Sequence, residues 1–288
     1  MKALILGCNG QLGRALADTV PETVDYVGVD LPELDITDAS AVLESCRLTR
    51  PAVIVNAAAY TAVDQAESEP DTVTAVNVDG PRNVAEAAGD IDARLIHIST
   101  DFVFDGESAA PYAPDDPPNP LSVYGRTKRE GELAVLESMP NAAVVIRTAW
   151  LYSKTGSNFV KTMLRLMNER DQLNVISDQV GTPTWADSLA KAVWGFVEAS
   201  DLAGIYHWTD DGVASWHEFA SAIQDEALSL GLLNQAIPIK AITTEDYPTA
   251  AKRPRYSVLD TSSTCAALHL QPAHWRVNLR RMLEGMAA

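Results

Sequence analysis

Tyr124 and Lys128 are the pair whose types and spacing most directly indicate chemistry in this 288-residue chain. Four positions apart on a predicted helix, the two side chains lie on one face, one turn apart. A phenol has a pKa of about 10 and is a poor acid-base group at neutral pH, but a neighbouring ammonium stabilises the phenolate and lowers that pKa. The pair therefore predicts a phenol that gives a proton to a carbonyl oxygen as hydride reaches the carbonyl carbon.

A glycine-rich turn near the start of the chain could hold the dinucleotide that supplies such a hydride. The segment Gly7-Cys8-Asn9-Gly10-Gln11-Leu12-Gly13 follows a predicted strand and opens a helix. Gly7 allows a tight turn, Gly10 lets the backbone approach a pyrophosphate, and Gly13 lets the helix pack closely on the sheet. The helix N-terminus then offers free N–H groups to the phosphates.

Asp30, at the end of the second predicted strand, is placed to accept hydrogen bonds from adenosine ribose hydroxyls. A carboxylate there would repel a 2′-phosphate, which favours NADH. Arg14 could offset this effect and admit NADPH. Both cofactors therefore remain open at this point.

Further polar and small residues follow two other predicted strands. Thr100 and Asp101 end one strand, and in open α/β sheets ligands bind at the carboxyl ends of strands. We predict that the Thr100 hydroxyl orients the substrate carbonyl and that Asp101 contacts a substrate hydroxyl. A second strand ends in small and hydroxylic residues that would leave room for the cofactor, namely Ala57, Ala58, Ala59, Tyr60 and Thr61.

The elements that must position these residues alternate between short apolar runs and longer helical patterns, which is typical of βαβ units. Strands are predicted at residues 3–6, 26–30, 52–57, 95–99, 144–148 and 173–176. Helices are predicted near residues 11–20, 38–48, 71–88, 121–137, 158–168 and 215–228. The first five strands have the apolar character of strands buried on both faces. This pattern predicts an α/β fold, a Rossmann-type doubly wound parallel sheet with a smaller, interleaved C-terminal substrate-binding lobe.

Two units are predicted within this fold. Residues 1–150 form the dinucleotide-binding domain with the Tyr-Lys pair. Residues 151–288 form mainly the substrate lobe, part of which returns to the sheet.

Bulk composition narrows the class of protein. The net charge of −17 disfavours a nucleic-acid partner, because a phosphate backbone would be repelled overall. No apolar run approaches the ~20 residues of a membrane span, and the first residues read as a strand rather than a signal peptide. Three scattered cysteines without CxxC spacing argue against disulfides or a zinc site. We therefore expect a cytoplasmic protein.

The motifs together resemble the dTDP-4-dehydrorhamnose reductase family. The matching segments run in order over about two thirds of the chain: GCNGQLG at Gly7, NAAAYTAVDQAESEP at Asn56, STDFVFDG at Ser99, VYGRTKREGE at Val123, RTAWLY at Arg147, NFVKTMLRL at Asn158 and DQVGTPTW at Asp178. The resemblance implies an extended short-chain dehydrogenase fold. It also implies NAD(P)H-dependent reduction of the 4-keto group of dTDP-4-dehydro-β-L-rhamnose to dTDP-β-L-rhamnose.

The resemblance also implies roles for individual residues. Thr100, Tyr124 and Lys128 fall on the catalytic positions, and Asp101 and Trp150 on substrate positions. The cofactor positions comprise Gly10, Gln11, Leu12, Asp30, Asp35, Ile36, Ala59, Tyr60 and Thr61. Tyr124 and Lys128 are expected to contact the cofactor too. Asn158, Lys161 and Arg253, the last in the basic run Lys252-Arg253-Pro254-Arg255, are candidates to bind the rest of the sugar nucleotide.

A departure from the family pattern concerns metal and assembly. Some members dimerise through a magnesium site that uses a Glu in the helix after the glycine turn, where this chain has Ala15. Asp187 keeps one acid near a second such position. The sequence therefore argues against the metal-linked dimer, and a monomer or a homodimer both remain open.

Two alternative functions remain at this stage. An NDP-sugar epimerase or dehydratase would share the glycine turn and the YxxxK pair. Dehydratases usually add an acidic pair beside the catalytic hydroxyl, whereas here Asp101 is followed by Phe102. A non-catalytic regulator that binds NADP, such as the β subunit of methionine adenosyltransferase, also resembles this family.

Overall fold

The computed structural model describes residues 1–287. Its strands, in chain order, are β1 Lys2–Leu6, β2 Asp25–Val29, β3 Val53–Asn56, β4 Arg94–Thr100, β5 Ala143–Thr148, β6 Leu151–Tyr152, β7 Leu173–Ile176, β8 Val180–Gly181, β9 Thr184–Trp185, β10 Gly204–His207, β11 Ala214–Ser215 and β12 Ile239–Ile242. Six of them form one parallel sheet in the order β2-β1-β3-β4-β5-β10. The predicted doubly wound α/β fold is confirmed.

The helices, in chain order, are α1 Gln11–Asp18, α2 Ala39–Thr49, α3 Val63–Ala66, α4 Pro70–Thr74, α5 Gly80–Asp90, α6 Val123–Ser138, α7 Phe159–Glu169, α8 Ala186–Glu198, α9 Trp216–Ser229, α10 Ser262–Leu268 and α11 Trp275–Ala287. No helix within residues 1–287 is both long and apolar enough to cross a membrane.

The strand order creates the crevice in which the candidate site lies. From β1 the chain passes to β2 on one side and then crosses back to β3 on the other side of β1. The helices that follow these two strands, α1 and α5, therefore pack on opposite faces of the sheet. Ligands of open α/β sheets bind at this point of reversal.

The central strands are buried because helices cover both faces of the sheet. Every residue of β3 and of β5 is buried, which confirms the predicted character of these runs. The same expectation is wrong for β2, which lies at the edge of the sheet and leaves Tyr26 exposed. An edge strand pairs on one side only, so solvent reaches its side chains.

A wide helical turn interrupts the run predicted at 71–88. Residues 75–79 form a π turn between α4 and α5, with Asn77 and Val78 buried. Such turns occur frequently at functional sites because they change the direction in which a side chain points. The helix periodicity in the sequence did not predict this interruption.

The second half of the chain contributes to two places. Residues such as Val160, Phe219 and Leu279 belong to a separate core cluster formed by α7, α9 and α11 with the small strands. In contrast, α8 packs on α1 and β10 adds the sixth strand to the main sheet. The helix at 186–198 was not predicted, although it returns the chain to the sheet.

Candidate active site

Steric limits on two glycines shape the turn after β1. Gly7 has a φ of +78°, and a Cβ there would lie 2.7 Å from the backbone N of Ala58. A Cβ on Gly13 would collide with the carbonyl oxygen of Gly7 and the backbone of Cys8. The turn, α1 and the loop after β3 are therefore in backbone contact, which only glycine permits at these positions.

The N-terminus of α1 is free to bind an anion. Gly10 is its N-cap and contributes no side-chain hydrogen bond, so the first N–H groups of the helix are left for a ligand. These features fit the pyrophosphate of a dinucleotide.

A cleft of about 270 Å³ opens beside this turn at the crevice between β1 and β3. Eight predicted cofactor residues line it, namely Gly7, Gly10, Asp30, Asp35, Ile36, Ala57, Ala58 and Ala59. Leu6, Val29, Leu31, Leu34 and Val76 complete its wall. Two carboxylates, those of Asp30 and Asp35, therefore stand among otherwise small and apolar lining residues, a lining that suits an adenosine.

Two other predicted cofactor residues make internal contacts instead of lining this cleft. Leu12 is buried in the core beneath the sheet. The side-chain oxygen of Gln11 accepts hydrogen bonds from Asn158 Nδ2 at 2.9 Å and Ser153 Oγ at 3.2 Å. Gln11 thus ties the phosphate turn to the loop before α7.

Asp30 is held by backbone N–H groups on both sides. Its Oδ2 accepts from Asn9 N and its Oδ1 from Leu31 N, each at 2.8 Å. Arg14, in the first turn of α1, donates from its Nε to the Asn9 carbonyl at 3.0 Å. Arg14 and the Asp30 carboxylate therefore both contact Asn9 of the glycine turn, which places the predicted counterweight near the carboxylate.

Asn77 fixes the loop after β3. Its Oδ1 accepts from Tyr60 N at 2.9 Å, and its Nδ2 donates to Tyr60 O at 3.1 Å and to Thr127 Oγ1 at 3.4 Å. A single buried amide in the π turn thus connects the predicted cofactor loop to α6, which carries Tyr124 and Lys128. Sequence reasoning missed Asn77, because a polar residue inside a helical pattern carries no local signal.

The catalytic candidates meet where α6 approaches the end of β4. Ser122 caps α6 by accepting from Gly125 N at 3.1 Å, and a Cβ on Gly125 would collide with the carbonyl oxygen of Phe102. This close approach brings the first turn of the helix against the loop that follows Thr100. Tyr124 is half-buried there and contacts Phe102 edge-on, with ring centroids 5.6 Å apart.

Thr100 occupies a fixed position beside the phenol. Its Oγ1 donates to Asp101 Oδ1 at 3.0 Å and accepts from Phe102 N at 3.2 Å. Burial raises the pKa of Tyr124 to about 12, while a hydrogen bond with Thr100 acts in the opposite direction. The phenol is therefore protonated at neutral pH and can serve as a proton donor.

Lys128 acts differently from the sequence prediction. Its Nζ is buried and donates to the Ile98 carbonyl at 2.7 Å. Burial lowers the pKa of Lys128 to about 8. The pKa of Tyr124 is shifted upward, opposite to the direction predicted from the lysine, because loss of solvent is the largest effect on the phenol and the Lys128 ammonium is engaged with the Ile98 carbonyl.

Asp101 is a buried carboxyl next to the catalytic candidates. Only 1 % of its surface is exposed, and burial raises its pKa to about 6. Within residues 1–287 its Oδ2 makes no hydrogen bond of ordinary length and angle, although the Ser257 hydroxyl lies near the carboxyl and acts to lower its pKa. An unsatisfied buried oxygen is costly, so a polar group of a ligand would be favoured there.

A buried ion pair lies one turn beyond Lys128 on α6. Glu132 accepts two hydrogen bonds from Arg147 of β5, each at 2.8 Å, and one from Arg129 at 2.7 Å. Both Glu132 and Arg147 are fully buried. This bidentate pair links the catalytic helix to the sheet. Arg147 lies in a strand that the sequence predicts to be buried, but nothing local marks Glu132 of α6 as its buried partner.

The substrate candidates are distributed over both sides of the site. Trp150 follows the end of β5, whose Thr148 pairs with Thr100 across the sheet. Asn158 caps α7 by accepting from Lys161 N at 3.1 Å and donates to Gln11, so its contacts lie on the cofactor side. The side chain of Lys161 is half-buried in the first turn of α7.

Arg253 is engaged by a carboxylate that sequence reasoning missed. Its guanidinium bonds both oxygens of Asp64, in α3, at 2.6 and 3.0 Å. This ion pair joins the C-terminal basic run to the segment that follows the cofactor loop. Lys252, Arg253 and Arg255 line a cleft of about 630 Å³ together with Tyr247.

Asp187, in α8, is the acid that the sequence offered as a possible metal ligand. Asp187 is partly buried, and burial raises its pKa; Lys154 and Lys191 are the cations near it. Within residues 1–287, no group of three or more His, Cys, Asp or Glu side chains is arranged to hold a metal ion.

Comparison with known proteins shows which family this chain resembles. The model of the family described as "RmlD substrate binding domain" matches residues 1–288. The dTDP-4-dehydrorhamnose reductase of Aggregatibacter actinomycetemcomitans is 42 % identical over 288 residues, covering 98 % of each chain.

Two solved structures show the same similarity in three dimensions. The dTDP-4-dehydrorhamnose reductase of Clostridium acetobutylicum is 39 % identical, with a TM-score of 0.94 over 100 % of both chains. The enzyme of that name from Bacillus anthracis, solved in complex with NADP, is 38 % identical, with a TM-score of 0.92 over 98 % of both chains.

Proposed function

Because the chain belongs to the RmlD family, we propose that it is an NAD(P)H-dependent dTDP-4-dehydrorhamnose reductase. The reaction is reduction of the 4-keto group of dTDP-4-dehydro-β-L-rhamnose to give dTDP-β-L-rhamnose. The observation that supports the proposal is the placement of Tyr124 beside Thr100 at the end of β4, with Lys128 of the same helix bonded to Ile98 of that strand. The cleft at the end of the neighbouring strand β3 fits a dinucleotide.

A reduced nicotinamide, when bound, supplies the hydride for this reaction. The glycine turn and the cleft between β1 and β3 fit the phosphates and adenosine of either cofactor. The relative that was solved with NADP is 38 % identical to this chain, which supports NADPH as one cofactor.

Tyr124 is the proposed proton donor. With a pKa of about 12 the phenol is protonated at neutral pH, and it gives its proton to the sugar O4 as negative charge develops there. Thr100, hydrogen-bonded near the phenol, orients the same carbonyl oxygen. Tyr124 and Thr100 would therefore accelerate the reaction by stabilising the transition state, in which the proton moves to the sugar oxygen.

Lys128 is proposed to hold the nicotinamide ribose and to stabilise the phenolate that the reaction leaves. Its ammonium already has one fixed acceptor, the Ile98 carbonyl, and retains further donors for the ribose. Asp101, one oxygen of which lacks an ordinary hydrogen bond, and Trp150 are the proposed contacts to the sugar. Lys161 and Arg253 are the proposed contacts to the nucleotide part.

We propose that the protein works in the cytoplasm as a monomer or a homodimer. Its three cysteines, Cys8, Cys46 and Cys265, are free, as in proteins of a reducing compartment. The two-unit division near residue 150 is likewise proposed, and the separate core cluster of the second half supports it.

The test is a turnover assay with enzymatically made dTDP-4-keto-L-rhamnose. We expect stoichiometric oxidation of NADPH or NADH, measured separately, with formation of dTDP-L-rhamnose identified by mass spectrometry. An epimerase or dehydratase would convert a sugar nucleotide without net oxidation of the cofactor, and a regulator would bind NADPH without turnover. Either result would reject the proposal.

The role of Tyr124 as proton donor is tested by a separate variant. Tyr124→Phe removes only the phenol oxygen, so we expect turnover to fall by about 10²- to 10⁴-fold while the Kd for NADPH changes by less than about twofold. Stopped-flow turnover and fluorescence titration with NADPH measure the two quantities. Near-normal turnover would show that another group donates the proton.

A further inference from the structure

The indole of Trp150 is held from two directions by residues of the second half of the chain. Its ring stacks on Trp216 with centroids 3.5 Å apart and an interplanar angle of 7°. A Cβ on Gly181 would lie 2.7 Å from Cε2 and 2.8 Å from Nε1 of the same ring. We call Trp150, Gly181 and Trp216 the Trp150 clamp.

Gly181 and Trp216 are fixed relative to each other by one short ladder. Strands β8 and β11 pair antiparallel, with Gly181 opposite Ala214 and Val180 opposite Ser215. Ser215 then forms a capping box with Glu218, so that Trp216 is the first residue of α9. The distance between the two contacts of the clamp is therefore set by backbone pairing.

The stack continues into the core of the second half. Phe159 contacts Trp216 with ring centroids 4.6 Å apart, and it packs in turn on Phe219 at 5.5 Å. Phe219 is fully buried. Trp150 therefore stacks on a residue, Trp216, that is itself packed against this buried core.

Trp150 itself is in a conformation that requires support. Its φ of +47° is in the left-handed region, which is unfavourable for a large side chain. The residue follows Thr148, the partner of Thr100 in the sheet, so the ring stands at the edge that carries the catalytic candidates. A strained residue next to a catalytic group is typical of a position that binds a ligand.

We propose that Gly181 and Trp216 are positioning residues that hold Trp150 as a rigid wall of the sugar subsite. This inference rests on the proposed function, because it assumes that Trp150 faces the deoxysugar. A flat aromatic ring offers contact area for the C–H groups and the methyl group of such a sugar. A wall fixed before binding loses little entropy when the sugar arrives.

The experiment compares Trp216→Leu with Trp216→Phe. Loss of the stack in Trp216→Leu should raise the KM for the sugar nucleotide by about fivefold, from the usual strength of an aromatic pair. We expect kcat to change by less than about twofold, and the Kd for NADPH likewise, because binding and not chemistry is affected. Trp216→Phe should restore most of the wild-type KM.

A matched control and a second variant make the result specific. Trp185→Leu removes another half-buried indole that packs on the same core cluster, and its KM should stay near that of the wild type. Gly181→Ala adds one methyl group where the indole lies and should raise KM as Trp216→Leu does. It carries the test if Trp216→Leu does not fold.

Circular dichroism reports on the stack without any substrate. Two stacked indoles give an exciton signal in the far ultraviolet, which Trp216→Leu should abolish and Trp185→Leu should retain. If the signal is absent in the wild type, or if it is lost while KM stays unchanged, the proposal is overturned. A wild type without turnover would reject the reductase instead, and the spectroscopic result would still stand.

Discussion

On the cofactor side of the cleft, backbone atoms and small residues shape the site, whereas on the substrate side large side chains from distant segments do so. Gly7 and Gly13 are in contact with peptide groups, and the alanines after β3 line the cleft. Across the site, Trp150 depends on Trp216, and Arg253 depends on Asp64. A turn built from backbone can be recognised from local spacing, whereas side-chain contacts between distant segments cannot.

The largest effect is expected from adding one methyl group to the glycine turn on the cofactor side of the cleft. Gly13→Ala places a methyl group against the Gly7 carbonyl and the Cys8 backbone, so the turn must open. We expect NADPH affinity to fall by about 100-fold or more, since several phosphate contacts depend on that turn. Fluorescence titration measures this loss.

The matched control is another glycine in a helix. Gly89 lies in α5 and has no heavy atom within 4 Å of an added Cβ. Gly89→Ala should leave NADPH affinity unchanged and stabilise the fold by about 0.5–1 kcal/mol in chemical denaturation. Wild-type affinity in Gly13→Ala would contradict the contrast between the two sides.

Lys128 stands between the two sides, and pH tests its charge. Burial lowers the pKa of Lys128 to about 8, so the ammonium is present below that pH and is lost above it. We expect kcat/KM for NADPH to fall as pH rises through about 8, approaching tenfold per pH unit. A profile that stays flat through this range would show that the charge on Lys128 is not needed.

Ionisation of Tyr124 does not contribute to this pH dependence. The pKa of its phenol is about 12, so the phenol keeps its proton throughout the same range. The fall in kcat/KM therefore belongs to the lysine.

The smallest expected effect concerns the ion pair on the substrate side. Asp64→Asn removes the charge that holds Arg253, so its guanidinium loses a fixed orientation. We expect the KM for the sugar nucleotide to rise by about threefold, because one partly buried ion pair is of modest strength. Steady-state kinetics with the sugar nucleotide measures the change.

Asp79→Asn serves as its control, because it removes the acid of an exposed ion pair with Arg82. Its KM should not differ from that of the wild type. If both variants behave alike, Arg253 does not depend on Asp64.

Features set by local spacing could be predicted from the sequence, and features set by contacts between distant segments could not. The parallel sheet, the glycine turn and the Tyr-Lys spacing were predicted, because each rests on local periodicity or on an i, i+4 relation. Asn77 and Trp216 were not, since their roles arise from contacts with Tyr60 and Trp150 at long range. The raised pKa of Tyr124 was also missed, because burial and the engagement of Lys128 with Ile98 depend on the folded chain.

The π turn at residues 75–79 has a consequence for how this chain can change in length. Such a turn holds one residue more than the regular helical repeat, and here that segment includes Asn77. Deleting a single residue there would restore the regular helical repeat. The same deletion would rotate Asn77 away from Tyr60 and Thr127, so the chain would keep a helix there and lose the join between the cofactor loop and the catalytic helix.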